Sequence, residues 1–390
     1  MARQTAATGS QSALREANSA RILATVRQYG GITQVELAAA TGLSPATVST
    51  IVKQLLATGE VETRNTVRSG RRAQLVTVAH RAGMLVGVHI APRALRIAIA
   101  DTGFDILASQ TLPLPNDHRL DTTLDRTALL AMELLDGLGS TASEVLGVGI
   151  GVPAPVDPST GTVRNTGLMP GWSDIDIAQV VEARLQRPVA VDNDANLGAL
   201  GEARFGAARG VQDALYVHAS YNTSAALILN GAVRAGAHGT AGEIGHVLAD
   251  PQGPICRCGS RGCLDTLVGA RALIESLRIS RGPVSLTDLI DLAIGGDAGC
   301  RQIITDAGAA IGTAVANLAV AFDPQLIVVG GELAQTETLL LDPLRVAVER
   351  RVLLNSATPL EVRRGELERR APLHGALALA SELTSVPGAR

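Results

Sequence analysis

The spacing of apolar residues divides the chain into two parts. Residues 18–29 place Ile22, Leu23 and Val26 on one helical face, and the glycines at 30–31 end that helix. "TQVE", Thr33 to Glu36, has the form of a capping box, so a second, short helix starts there and closes at Thr41–Gly42. A third helix runs through "LSPATVSTIVKQLLATGEV". Ser44 suits its N-cap and Pro45 its first position, and Val48, Ile51, Val52 and Leu55 form its inward stripe. Its other face carries Ala46, Thr47, Ser49, Thr50, Lys53 and Gln54. Beyond Gly59, "EVETR" and "AQLVTVA" read as two strands joined by the basic stretch "NTVRSGRR". This predicts a winged helix–turn–helix over residues 18–82, preceded by a flexible segment, 1–17.

From Leu85 the pattern becomes one of buried strands and long helices. "LVGVHI", "LRIAIAD" and "DILASQTLPL" read as three strands, a helix covers about 121–138, and "VLGVGIGVP" (145–153) is a buried strand. Val189, Ala190 and Val191 form another strand, which ends in "DNDAN" and leads into a Gly/Ala-rich helix. A second series begins near 213 with "DALYVHA" and "SAALILNG", continues through helices near 284–295 and 302–321, and reaches the strand "LIVVGG". Two such series predict an α/β body of two similar lobes, residues 83–390, with a cleft between them. "GVGIGV" at 147–152 is not a dinucleotide loop, because its glycines lie within the strand and "PAP" follows instead of a helix.

Composition supports compact domains: hydrophobic residues are 46% and charged residues 18%. Aromatics are only 2%, so the cores must be built from Ala, Val, Leu and Ile. The most apolar runs are strand-length, and the first twenty residues lack the apolar core of a signal peptide. No membrane partner and a cytoplasmic location are therefore expected. The net charge of −3 hides an asymmetry. Residues 1–82 hold ten Lys/Arg against four Asp/Glu, whereas residues 83–390 hold 24 against 33. A basic module ahead of an acidic body points to a polyanion partner for the first part. With the small, polar third helix, that partner is double-stranded DNA. Ser44, Ala46, Thr47, Thr50 and Lys53 are expected at the major groove, and Arg68, Arg71 and Arg72 on the wing.

Three of the four cysteines lie within eight residues, in "CRCGSRGC", and His246 stands ten residues before the first. His246, Cys256, Cys258 and Cys263 make a Cys3His set with no open position for water, which predicts a structural zinc site.

Beyond these features, the chain resembles the ROK family of bacterial sugar kinases and sugar-responsive repressors. "GVPAPVD", "VDNDAN" with "GEARFG", "GAHGTAGEIGH", "CRCGSRGCLD" and "VVGGEL" match the family in order. The helix–turn–helix and "SGRRAQL" match its repressor branch, of which the xylose and N-acetylglucosamine regulators are examples. The resemblance implies an actin-like, ribonuclease H-like fold of the sugar-kinase type, and a homodimer or homotetramer. It also implies that the zinc loop shapes a sugar pocket, with contacts from Asn193, Asp194, Glu243, His246 and Asp265. Planar, multi-acceptor groups of this kind pair adjacent sugar hydroxyls. Two positions depart from the family's pattern: Asp265 stands where Glu is frequent, and Leu168 where the kinases carry Asn.

The kinases also carry a D-x-G-x-T loop, matched here by His89, Ala91 and Arg93, and a G-T-G loop, matched by Ser220, Tyr221 and Asn222. Side chains occupy the places where backbone amides should meet phosphate, and Pro92 has no N–H. Asp194 then remains as a ligand contact and not as a working base. The sequence thus predicts a non-enzymatic regulator, a repressor released by a monosaccharide or sugar phosphate. The alternatives are a sugar kinase with an unusual nucleotide site, or a DNA-binding protein that has lost its ligand.

Overall fold

The computed structural model describes residues 8–29, 31–68, 71–78, 83–115, 118–163, 171–172, 175–351 and 360–385. The chain forms two compact units, one running up to Leu85 and including Ala100–Leu107, the other comprising Val86–Ile99 and the chain from Ala108 onward.

The first unit contains α1 (Thr8–Tyr29), β1 (Ile32–Thr33), α2 (Gln34–Thr41), α3 (Pro45–Thr58), β2 (Val61–Arg68) and β3 (Arg71–Val78). The capping box is present: the Thr33 side chain accepts from the Glu36 amide, and Glu36 accepts from the Thr33 amide at 2.9 Å. Ser44 caps α3 by accepting from the Thr47 amide at 3.1 Å. The chain bends by 115° between α2 and α3, within the range of a helix–turn–helix. Ile22, Val26, Leu37, Val48, Ile51, Val52 and Leu55 are buried together, as the apolar spacing predicts. β2 and β3 pair antiparallel from Val61↔Val78 to Arg68↔Arg71, and β1 pairs with β3. One expectation is corrected. α1 begins at Thr8, ten residues before the predicted start, so the expected flexible segment 1–17 is helical over its second half. Ala13, Leu14, Arg15, Glu16 and Ala17 are strong helix formers with no proline among them, and they extend the helix beyond its apolar stripe.

The body holds two sheets of the same connectivity. The first contains β4 (Met84–Ala91), β5 (Ala94–Asp101), β6 (Ile106–Pro113), β7 (Val145–Val152) and β8 (Val189–Asn193), in the order β6-β5-β4-β7-β8. The second contains β9 (Ala214–Ala219), β10 (Thr223–Leu229), β11 (Ala232–Arg234), β12 (Leu326–Gly330) and β13 (Glu361–Arg364), in the order β11-β10-β9-β12-β13. In the second sheet β9, β10 and β11 pair antiparallel, and β12 lies parallel between β9 and β13. The helices are α4 (Leu120–Gly137), α5 (Ile177–Leu185), α6 (Asp194–Phe205), α7 (Asp265–Val268), α8 (Ala270–Arg281), α9 (Leu286–Ile294), α10 (Ala298–Phe322), α11 (Thr338–Arg351) and α12 (Ala371–Glu382).

The glycines of the "GVGIGV" strand have a packing reason. A Cβ at Gly149 would lie 2.0 Å from the Ala376 carbonyl oxygen of α12, so a side chain there would drive the helix off the sheet. α10 also corrects a reading: it is a 25-residue helix long and apolar enough to cross a membrane. Here Ile304, Ile311, Val315 and Ala319 are buried in the core of the second lobe beside Leu340 and Leu344 of α11.

Candidate functional site

The end of β8 and the start of α6 present Asn193 and Asp194. The Asn193 side-chain oxygen caps α6, accepting from Ala195 N at 2.8 Å and Asn196 N at 3.4 Å. That fixes the amide of Asn193, which lines the pocket. Asp194 is buried, and His89 Nε2 and His218 Nε2 stand 3.7 and 3.8 Å from its carboxylate. Burial is the main cause that pushes its pKa up to about 6, with Glu332 adding to the shift and His218 opposing it.

Glu243, His246 and Asp265 reach the same pocket from the second lobe. His246 sits in a single turn after β11, with its Nε2 4.0 Å from Glu243. Burial, then Asp194 and Asp265, push Glu243 up to about 7. Asp265 begins α7, and its shorter side chain is partly engaged within the protein. One oxygen accepts from the Thr223 amide at 2.8 Å and the other lies 3.4 Å from Arg257. The structure thus brings together all five residues expected at the pocket. Leu168 lies outside the described residues. Sequence reasoning missed Thr223, whose buried hydroxyl lines the pocket without a hydrogen-bond partner among the described residues. A ligand hydroxyl would satisfy it.

The segments aligned with the kinase phosphate loops are the β4–β5 turn and the β9–β10 turn. Between them stands a network that the sequence did not reveal. Arg96 of β5 lies 3.5 Å from Glu332, which follows β12. Arg96 also approaches His89 Nδ1 at 3.3 Å, and the Ser220 hydroxyl donates to Glu332. Burial first, then Arg96, lower His89 to a pKa of about 3, so its approach to Asp194 is that of a neutral imidazole and not an ion pair. With Nδ1 accepting from Arg96, the ring proton sits on Nε2, facing Asp194. Burial disfavours the charge on Glu332, but His218, Ser220, Arg96 and His89 together hold its carboxyl below the usual range.

His246, Cys256, Cys258 and Cys263 place their donor atoms within 4.8 Å of one another. All three cysteines are free thiols, and Cys258 Sγ lies 3.6 Å from Cys263 Sγ. Tight turns make this possible: Cys256 N donates to Ser260 O at 2.7 Å, and Gly262 (φ 69°) holds a conformation in which a Cβ would strike the Asp250 carbonyl at 1.6 Å. The quartet could hold a metal ion. Cys300 lies apart, buried in α10.

On the first unit, Ser44, Ala46, Thr50 and Lys53 are exposed along α3, and Thr47 is half-buried. Two of these hydroxyls have local duties: Ser44 pairs with Thr47, and Thr50 donates to the Ala46 carbonyl at 2.9 Å. Arg68 and Arg71 face each other in register at the end of the hairpin. The side chains of Arg68, Arg71 and Arg72 lie outside the described part of the structure.

The ROK family model matches residues 85–383, and the MarR family model matches residues 16–72. The chain belongs to the ROK family. It is 30% identical to the DNA-binding transcriptional dual regulator NagC of Escherichia coli (strain K12), over 95% of this chain and 94% of that protein. It is 27% identical to the xylose repressor of Bacillus subtilis (strain 168), over 94% and 95%. Among solved structures, a ROK family transcriptional regulator described as a homolog of the E. coli MLC protein matches with a TM-score of 0.75 at 24% identity, covering 95% of this chain and 97% of that one. The ROK family glucokinase from Streptomyces griseus, in complex with glucose and AMPPNP, matches with a TM-score of 0.69 at 28% identity. That match covers 77% of this chain and all of the glucokinase.

Proposed function

We propose that this ROK protein is a sugar-responsive, DNA-binding transcriptional regulator: a repressor released when a monosaccharide or sugar phosphate enters the pocket around Asp194. The observation that carries this reading lies in the two turns: Pro92, which has no amide hydrogen, and the side chains of Arg93, Tyr221 and Asn222 line the cleft where the kinases' phosphate loops would present backbone amides to a nucleotide. Phosphoryl transfer depends on positioned phosphates and metal, and without loops that hold them a hydroxyl deprotonated by Asp194 has no phosphoryl group to attack. The relatives named as regulators and the MarR-type match over 16–72 support the DNA-binding half.

On this reading residues 18–82 form the DNA-binding module and residues 83–390 the effector-binding body. Ser44, Ala46, Thr47, Thr50 and Lys53 enter the major groove and meet base edges and phosphates, and Arg68, Arg71 and Arg72 of the wing sit in or beside a minor groove. Asn193, Asp194, Glu243, His246 and Asp265 take the sugar hydroxyls. His246, Cys256, Cys258 and Cys263 suit zinc, whose role would be to cross-link the loop that carries Asp265 and to hold His246 facing the pocket.

The test is selection of bound fragments from genomic DNA with the full-length protein, followed by binding assays with and without a panel of sugars. A bound operator that one sugar releases supports the reading. Sugar-dependent ADP production, abolished by Asp194→Asn, would replace it with the kinase alternative.

A further inference from the structure

Two histidines stand against Asp194, one from each lobe. His89 comes from β4 of the first sheet and His218 from β9 of the second. Their Nε2 atoms lie 3.7 and 3.8 Å from the same carboxylate oxygen, Oδ2. Both rings are held from behind. Arg96 approaches His89 Nδ1, and the Tyr216 hydroxyl lies 3.4 Å from His218 Nδ1, with the two rings stacked. Burial keeps the Tyr216 phenol protonated. A phenol that donates to Nδ1 leaves the His218 proton on Nε2, toward Asp194.

Neither approach is a hydrogen bond, which needs about 3 Å. His89 Nε2 is buried with no hydrogen-bond partner among the described residues. A closer approach of about 1 Å would bring either imidazole into hydrogen-bonding range of the carboxylate. The acids nearby work the other way: Glu332, after β12, and Glu243, in the turn after β11, repel the charge on Asp194. Of these groups, the histidines are the ones placed to donate to it. Asp194 and His89 share a lobe, whereas His218 stands on the other, so a change in the cleft alters the His218 distance first.

On the reading that Asp194 accepts a hydroxyl of the ligand, we infer that His218 is a positioning residue for that acid, reaching it across the cleft and completing the ligand site only as the lobes close. His89 supports the same oxygen from the first lobe.

The experiment uses the full-length protein and has two arms. The stability advantage expected of Asp194→Asn grows as pH rises and levels off above the pKa of Asp194 in the fold, about 6. His218 opposes the rise of that pKa, so in a His218→Gln background the levelling should move up by about one pH unit. A merely structural loss would lower every stability and leave the levelling where it is. His218→Asn serves as the second background should His218→Gln not fold. The other arm is titration calorimetry at pH 8 with glucose, xylose and N-acetylglucosamine. His218→Gln should weaken the probe that the wild type binds best by about tenfold, the worth of roughly one hydrogen bond. An unmoved levelling would overturn the role of His218. A moved levelling with unchanged sugar affinity would show a contact that does not serve the ligand, and would overturn the positioning role. No probe bound by the wild type would overturn the sugar reading, and the levelling would still decide the histidine contact.

Discussion

Arg96 and Glu332 lie 3.5 Å apart with side chains only 15% and 13% exposed, and they join the first sheet of the body to the second. Glu332 sits in "VVGGEL", and Arg96 lies in an unremarkable strand. Removing one partner of such a pair leaves a buried charge, which typically costs about 3–5 kcal/mol. Glu332→Ala should therefore lower the denaturation midpoint sharply. Arg96→Met with Glu332→Leu should recover much of the loss, since neither charge then remains. A double variant no more stable than the worse single variant would show that the pair is not coupled.

The quartet of His246, Cys256, Cys258 and Cys263 predicts one metal ion per chain. A metal that binds only the folded state at a thousandfold excess over its Kd adds about 4 kcal/mol. Cys263→Ser should remove both the metal and that stabilisation, read by elemental analysis and by melting. Cys300→Ser should keep the full metal content, because Cys300 is buried in α10 away from the other three sulfurs. Metal retained by Cys263→Ser would exclude that residue as a ligand.

Asp194 predicts a pH effect with a definite sign. Its pKa in the fold is about 6 against an ordinary 3.8. The folded state therefore holds this proton more tightly than the unfolded chain does. The stabilising contribution is fully present below the unfolded value and is lost as pH rises through about 6. At pH 8 the ionised, buried carboxylate costs about 3 kcal/mol. Asp194→Asn should thus be more stable than the wild type at pH 8, with roughly half that advantage at pH 5 and little below pH 4. Denaturant titrations at the three pH values check this, and an advantage that grows toward acid would reverse the assignment.

DNA binding should weaken steeply with salt, because cations at phosphates release counterions. For about six phosphate contacts the loss between 50 and 200 mM salt is on the order of 10³-fold. Lys53→Ala should weaken binding to all sequences alike and reduce the salt slope by about one if it meets a phosphate. Thr50→Val should change the preference among operator variants. A Lys53→Ala protein with an unaltered slope would take that side chain out of the interface.

The sequence was most informative where one short stretch carries the whole signal. Ser44 with Pro45 marks the start of α3, and the cysteine spacing brings three thiols into one loop, with His246 of a preceding turn beside them. Period-two and continuous apolar runs mark both sheets. What was hidden depends on partners far away in the chain. Glu202 looks like a helix residue, yet it is fully buried and accepts from the amides of Ala207, Glu366 and Leu367, tying α6 to a distant turn. The partner of Gly149 is a helix some 220 residues later, which no local pattern announces. Arg96 and Glu332 are opposite charges on separate sheets, and only the fold pairs them. The pocket residues were found through the family's motifs, since Asn193, Glu243 and Asp265 taken singly look like caps or surface acids.

If the effector weakens DNA binding, DNA must weaken effector binding by the same factor, a coupling that is typically about 1–3 kcal/mol, or some 5- to 150-fold. Asp194 lies buried at the closed end of the pocket, and no described residue of the first unit lines that pocket. Asp194→Ala should therefore leave operator affinity unchanged without effector and abolish release when effector is added. The measurement is operator affinity for wild type and variant across an effector titration. Since the variant also removes a buried carboxylate, its folded fraction should be checked at the same pH, where greater stability is expected. A variant released at the wild-type effector concentration would remove Asp194 from the ligand site. A variant that fails to bind operator even without effector would show that Asp194 supports the DNA-binding state itself.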